Sequence, residues 1–158
     1  MREIKRLIVL LALALTLLFA AVPVQAKEPL KGSMELYFMV GGPDIGYGPP
    51  IWSGTISGDI NGEMYFYNVG TGKQGNQAPG KTIHFGEVWY IITVDGVLLG
   101  TDEGVVSLDG SEYRMNGVVT QATGDWVYLE GRNVHMSGYI TWAAPGVPET
   151  APGTFRIN

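Results

Sequence analysis

Lys81 to Trp142 reads KTIHFGEVWYIITVDGVLLGTDEGVVSLDGSEYRMNGVVTQATGDWVYLEGRNVHMSGYITW, and this stretch decides the fold. Apolar and polar residues alternate with period two, the spacing of a half-buried strand, and no run sets apolar residues at helical intervals. Asp95-Gly96, Asp109-Gly110 and Gly124-Asp125 punctuate the alternation. Such dipeptides favour tight turns because glycine, and to a lesser degree aspartate, accepts a positive φ. The reading is four long strands, Lys81–Val94, Val97–Leu108, Glu112–Thr123 and Trp126–Trp142, in an antiparallel meander.

The last of these changes face partway. Val127 and Leu129 read as inward, with Tyr128 and Glu130 outward. From residue 133 onward Asn133, His135, Ser137 and Thr141 form the polar row, with Val134, Met136 and Ile140 the apolar one. A strand exchanges faces by inserting a residue, so a β-bulge is expected at Gly131-Arg132.

Upstream, Trp52, Gly54, Ile56, Gly58 and Ile60 share a face, and Asn61-Gly62 turns the chain into Glu63–Val69. With Ser33–Val40 and Gly153–Asn158 the count reaches about eight strands. Strands this long would leave exposed edges in an open sheet, and closure removes them. An all-β, eight-stranded antiparallel up-and-down barrel is therefore expected in preference to a β-sandwich. Gly54 and Gly58 lie between inward side chains, which suggests an empty or aromatic-filled centre beside them. Gly41–Pro50, Gly70–Gly80 and the Pro-rich strap Ala143–Pro152 read as loops that connect strands or gate a barrel mouth.

The N-terminus reads as a leader. Arg2, Lys5 and Arg6 precede an apolar run from Leu7 to Val22, and Val24-Gln25-Ala26 supplies a small-residue cleavage site. A membrane anchor is the competing reading, but the run is short for a span and Pro23 ends it. The expectation is a signal peptide over residues 1–26 and a single barrel domain over 27–158. The product would be exported, as a secreted, periplasmic or cell-surface protein, with no membrane attachment after cleavage.

Composition narrows the function. The leader takes three of the ten basic residues and one of the fifteen acids, which leaves seven against fourteen in the mature chain. That balance argues against nucleic acid or an anionic membrane as partner, since both call for a basic patch. The absence of cysteine removes disulfides, thiol catalysis and thiolate metal sites. No Gly-x-Ser-x-Gly elbow, phosphate loop, dinucleotide fingerprint or His-Glu-x-x-His occurs.

The segment from Asn116 through Thr123-Gly124-Asp125-Trp126 to Arg132, with Ser137-Gly138 beyond it, resembles the allene oxide cyclase-like and dirigent-like barrels. Asp59-Ile60-Asn61-Gly62-Glu63, followed by a Tyr-Phe-Tyr run, is similar to the second hairpin of small bacterial proteins of that group. The likeness covers about half of the mature chain. It implies a calycin-type barrel with an apolar cavity, and trimers among its members make a homo-oligomer a further implication. It carries over no catalytic set, because the cyclases' polar pocket residues find no residue-by-residue match in this chain.

Two carboxylates stand out as candidate catalytic groups. Glu87 has the parity of Ile83, Phe85, Trp89 and Ile91, so an unbroken strand would aim it into the barrel, whereas a bulge at Gly86 would turn it outward. Asp102 shares a face with Leu98, Gly100, Gly104, Val106 and Leu108, and a bulge at Gly104 would expose it. His84 and His135 both read as outward and too separate for a metal site. Asp59-x-Asn61-Gly62-Glu63 lacks the later oxygens of a calcium loop and reads as a turn.

Trp52, Ile56, Phe85 and Trp89, with Met64/Phe66 or Tyr65/Tyr67, are the candidate lining for a small apolar ligand. Binding rather than catalysis is the expected activity, with no cofactor and no metal. An allene oxide cyclase-like isomerase and a structural protein without a small-molecule site are the alternatives.

Overall fold

In the computed structural model, residues 28–69, 82–107, 109–145 and 148–158 are described. The leader with its expected cleavage after Ala26, and the loop Gly70–Gly80, lie outside them. Each period-two segment forms a strand: β1 Leu30–Phe38, β2 Trp52–Gly58, β3 Gly62–Asn68, β4 Thr82–Thr93, β5 Gly96–Ser107, β6 Glu112–Ala122, β7 Asn133–Tyr139 and β8 Gly153–Ile157. Every strand pairs with its chain neighbours, and β1 pairs with β8, so the sheet closes into an eight-stranded antiparallel up-and-down barrel. β1 begins three residues earlier than the alternation suggests and ends at Phe38.

The inward row is apolar. Met34, Leu36, Ile56, Met64, Phe66, Trp89, Ile91 and Leu98 are all buried, in registers that place Trp52, Phe66 and Trp89 opposite one another and Met64 opposite Ile91. The outward row carries Ser33, Glu35, Thr55, Ser57, Arg114, Asn116, Thr154 and Arg156, all exposed. A barrel that spans a bilayer presents the opposite arrangement, an apolar band outward.

Alternation left two assignments open on β3, and the structure settles them. Met64 and Phe66 point in, while Tyr65 and Tyr67 point out. Tyr67 is nonetheless fully buried, because the segment 39–51 folds over this part of the wall. The Tyr67 hydroxyl donates to the Pro43 carbonyl (2.7 Å), and the Tyr47 ring lies 6.3 Å from that of Tyr67. Gly41–Pro50 is therefore a cover for the outside of β2 and β3.

The expected long strand from Trp126 to Trp142 does not form. Gly124–Leu129 is a short 3-10 helix, and β7 starts only at Asn133. Trp126 and Leu129 are three residues apart, one turn of such a helix, so both face the barrel while Val127 is 54% exposed. Trp126 Nε1 donates to Thr93 Oγ1 (2.8 Å), and the Glu130 carboxylate accepts from the Ala122 amide (2.9 Å). Gly131 adopts φ +77°, a left-handed turn, and its amide bonds back to Val119 (2.9 Å). The apparent exchange of faces is thus a helical excursion rather than a bulge, and Leu129 helps to plug this end of the barrel.

A bulge does occur one strand earlier. The β5–β6 register shifts between Leu99 and Gly100, leaving Thr120 as the extra residue. Its hydroxyl bonds to the Leu99 carbonyl (3.1 Å). The shift keeps both Val119 and Ala122 inside.

Beside Gly54 and Gly58 lies neither an empty centre nor an aromatic ring but the backbone of β1. A Cβ at Gly54 would strike the Glu35 carbonyl, and one at Gly58 (φ +132°) would lie 2.6 Å from that of Lys31. These glycines let β1 approach β2 closely. Elsewhere glycines seat rings: a Cβ at Gly100 would run into the Trp89 indole, and one at Gly104 would sit 2.5 Å from the Phe85 ring.

Gly100→Ala is expected to destabilise the barrel by about 1–3 kcal/mol, since Trp89 on one side and the Val118 carbonyl on the other prevent relaxation. Urea unfolding should show a lower midpoint with an unchanged slope. An unshifted midpoint would mean that the ring is not seated on this glycine.

Candidate functional site

β4 runs without a break through Gly86, which pairs with Glu103, so no bulge turns Glu87 outward. β5 likewise continues through Gly104, opposite Phe85. Both carboxylates therefore face the interior, and the register sets Glu87 directly opposite Asp102. Side chains so placed have Cβ atoms about 5 Å apart.

The burial of Asp102 has a local cause. It lies between Gly100 and Gly104 on the inward face of β5, and the rings of Trp89 and Phe85 lean over those two glycines. On its other side stands Gly117 of β6, where a Cβ would come 2.7 Å from the Asp102 Cβ. Water is thus excluded from three directions. Asp102 is 5% exposed, and both its carboxylate oxygens are buried without a hydrogen-bond partner. Burial pushes its pKa up to about 7. Glu87 is raised well above the usual carboxylate range, first by burial and second by the charge of Asp102. The pair is therefore a proton-holding couple near neutral pH.

Above the pair lies a cavity of about 330 Å³. Phe38, Ile51, Trp52, Phe66, Phe85 and Met115 form much of its wall, with Glu87 among them and Asp102 beneath. It occupies the end of the barrel where β1, β3, β5 and β7 finish, opposite the end plugged by Leu129. The strap after β7 closes one side. Thr150 bridges to both Tyr37 and Thr141, the Phe38 amide bonds to the Glu149 carbonyl (3.1 Å), and the Ala151 amide bonds to that of Leu36 (2.9 Å). Trp142 packs against Gly110 and donates from Nε1 to the Asp109 carbonyl (3.2 Å), which fixes the strap over the β5–β6 turn.

Tyr113 of β6 completes the wall. Its hydroxyl reaches the Ala151 and Pro152 carbonyls at 3.3 and 3.4 Å, over Gly138 and Gly153, where a side chain would collide with it. Burial first, and the Glu87 charge second, raise its pKa.

Of the four residues expected to line a ligand site, Trp52 and Phe85 border the cavity. Ile56 and Trp89 do not: both are buried in the core, where neighbouring side chains fill the barrel. Trp89 serves as part of the floor structure, and its indole N–H has no hydrogen-bond partner. His84 and His135 are exposed on separate strands, and His135 Nδ1 pairs with Asn116 Oδ1 (2.7 Å). Among the described residues no three His, Asp or Glu side chains gather as metal ligands. Tyr113 and Met115 escaped the sequence reading although they share an inward parity with Val119. The role of the strap had no periodic signal at all.

Compared with known proteins, the chain matches no family model, no curated protein and no solved structure.

The acid couple sets a pH dependence. A carboxyl whose folded pKa lies above its unfolded value of about 4 keeps its proton in the fold after the unfolded chain has released it. The resulting stability is complete below about pH 4 and is lost as pH rises, through about 7 for Asp102, with the raised Glu87 acting in the same direction. Each such group contributes a slope of up to about 1.4 kcal/mol per pH unit within its window. The urea midpoint should accordingly fall between about pH 5 and pH 8, and more shallowly in Glu87→Gln. Identical slopes in the two proteins would show that Glu87 holds no extra proton in the fold.

Proposed function

We propose that this is an exported binding protein that takes a small, largely apolar molecule into the loop-end cavity, with the ligand's polar group against Glu87. The cavity itself carries this reading. Side chains fill the plugged half of the barrel, yet about 330 Å³ remains open at the other end, within the range of small-molecule pockets. A few polar groups, here Asn68, Glu87 and Glu149, set in an otherwise greasy wall are the usual arrangement for orienting a ligand. The N-terminal leader supports export. The acidic balance of the mature chain supports a partner other than nucleic acid.

A second reading rests on the same carboxyl and follows the likeness to the allene oxide cyclase-like barrels. A protonated Glu87 that borders the cavity, backed by Asp102, has the arrangement of an acid that passes a proton to or from a bound molecule. In that case Glu87→Gln would keep ligand binding and lose turnover.

The proposal is tested with a neutral apolar dye, N-phenylnaphthylamine, whose fluorescence rises on entering a dry site. The wild type should show saturable uptake. Val106→Trp, which places an indole on the cavity wall between Ile83 and Tyr113, should weaken uptake about tenfold or more, roughly 1.4 kcal/mol, while its urea midpoint confirms folding. Absence of uptake by the wild type would leave a structural protein without a small-molecule site as the better reading.

A further inference from the structure

The composition of the cavity wall says more about the occupant than its size does. Six of the lining residues are aromatic: Phe38, Trp52, Phe66, Phe85, Tyr113 and Trp142. The ionisable groups besides Tyr113 are both acids, Glu87 and Glu149, and among the described lining residues there is no lysine, arginine or histidine. Beneath Glu87 lies a second acid, Asp102, whose oxygens have no partner. The barrel thus buries two carboxyls face to face, and among the described residues neither has a counter-charge.

Resting on the binding role just proposed, we infer that the ligand carries a cationic head, an alkylated ammonium, on an apolar body, with the head held among the aromatic rings and against the Glu87 carboxylate. Aromatic faces attract cations through their quadrupole, most strongly where water is excluded, and clustered rings are the common receptor for quaternary ammonium groups. A carboxylate in the same dry space adds Coulomb attraction far larger than it would in bulk water. An unalkylated ammonium would need three acceptors for its N–H groups, and this wall offers mostly rings. An anionic head would meet two acids and, among the described lining residues, no cation. The acidic balance of the mature chain works in the same direction at longer range.

Proton balance follows. In the empty protein the couple retains protons. The groups facing Glu87 are Asp102 on β5, Tyr113 on β6 and Asn68 opposite it on β3. A bound ammonium supplies the missing positive charge, so Glu87 ionises and releases its proton to solvent. The head remains unchanged, and the single bond broken is the Glu87 O–H, whose proton passes to solvent water.

Three naphthylethyl probes of matched shape test this by titration calorimetry: a trimethylammonium, its uncharged tert-butyl isostere, and a carboxylate. The ammonium should bind at least about tenfold more tightly than the isostere, and the carboxylate should not bind. Titrations in two buffers of different ionisation heat should show about one proton released per ammonium bound and none for the isostere. Glu87→Gln should abolish the proton release and shrink the ammonium-to-isostere ratio severalfold. If that variant does not fold, the wild-type ratio and proton release decide alone. Equal binding of ammonium and isostere would overturn the cationic head and leave the apolar pocket standing. Failure of all three probes to bind would overturn both.

Discussion

A barrel of eight strands has an interior just wide enough for side chains to fill, and this protein meets that constraint by setting several of its rings over glycines. Trp89 covers Gly100, Phe85 covers Gly104, Phe155 lies against Gly32, and Tyr113 spans Gly138 and Gly153. Each ring reaches to a neighbouring strand, and Tyr113 on to the next one beyond, so the aromatic contributes buried area where its partner contributes none. The acid couple is a product of the same device. Between Phe85 and Trp89 stands Glu87, and between Gly104 and Gly100 stands Asp102, so the rings that fill the space above the glycines also dry the carboxyl between them. Protonation of the pair is thus a consequence of how the barrel is packed.

The same arrangement divides the interior lengthwise. Towards the Asp95-Gly96 turn, Leu98, Ala122 and Leu129 are buried in the core cluster. Towards the other end the strands are lined by Leu36, Phe66 and Met115, and the closing element is the strap rather than a plug. The cavity and the acids therefore adjoin, Glu87 belonging to the wall of one and the pair of the other. The cavity wall and the protonated pair thus share a single side chain.

Period-two alternation and turn dipeptides were sufficient for the number, order and closure of the strands, because those signals arise from local physics. The inward parity of Glu87 and Asp102 was equally legible. What parity could not show was whether Gly86 and Gly104 broke it, since a glycine seats a ring and permits a bulge with the same lack of a side chain. The register of β4 against β5 answers that, and register is a property of two strands together. Trp126-Val127-Tyr128-Leu129 misled for a related reason: over four residues, a strand that turns Val127 and Leu129 inward and a 3-10 turn that turns Trp126 and Leu129 inward fit the letters equally well. Ile56 and Trp89 have the right face but the wrong height along the barrel, and height is set by which end is plugged. Tyr113 depends on glycines more than twenty residues away.

The pairing of Leu30 with Ile157 sets both ends of the described domain side by side, at the plugged end of the barrel. Anything joined to the domain in front of β1 or behind β8 must therefore leave from the side opposite the cavity. Were the protein tethered to a surface through its N-terminus, the opening would point away from that surface and towards whatever diffuses past. The adjacency has a topological corollary as well. A short linker across these two ends, with new ends cut in the exposed Asp95-Gly96 turn, would preserve every ladder of the sheet. The barrel has a start in sequence but none in space, and its mouth is indifferent to where the chain begins.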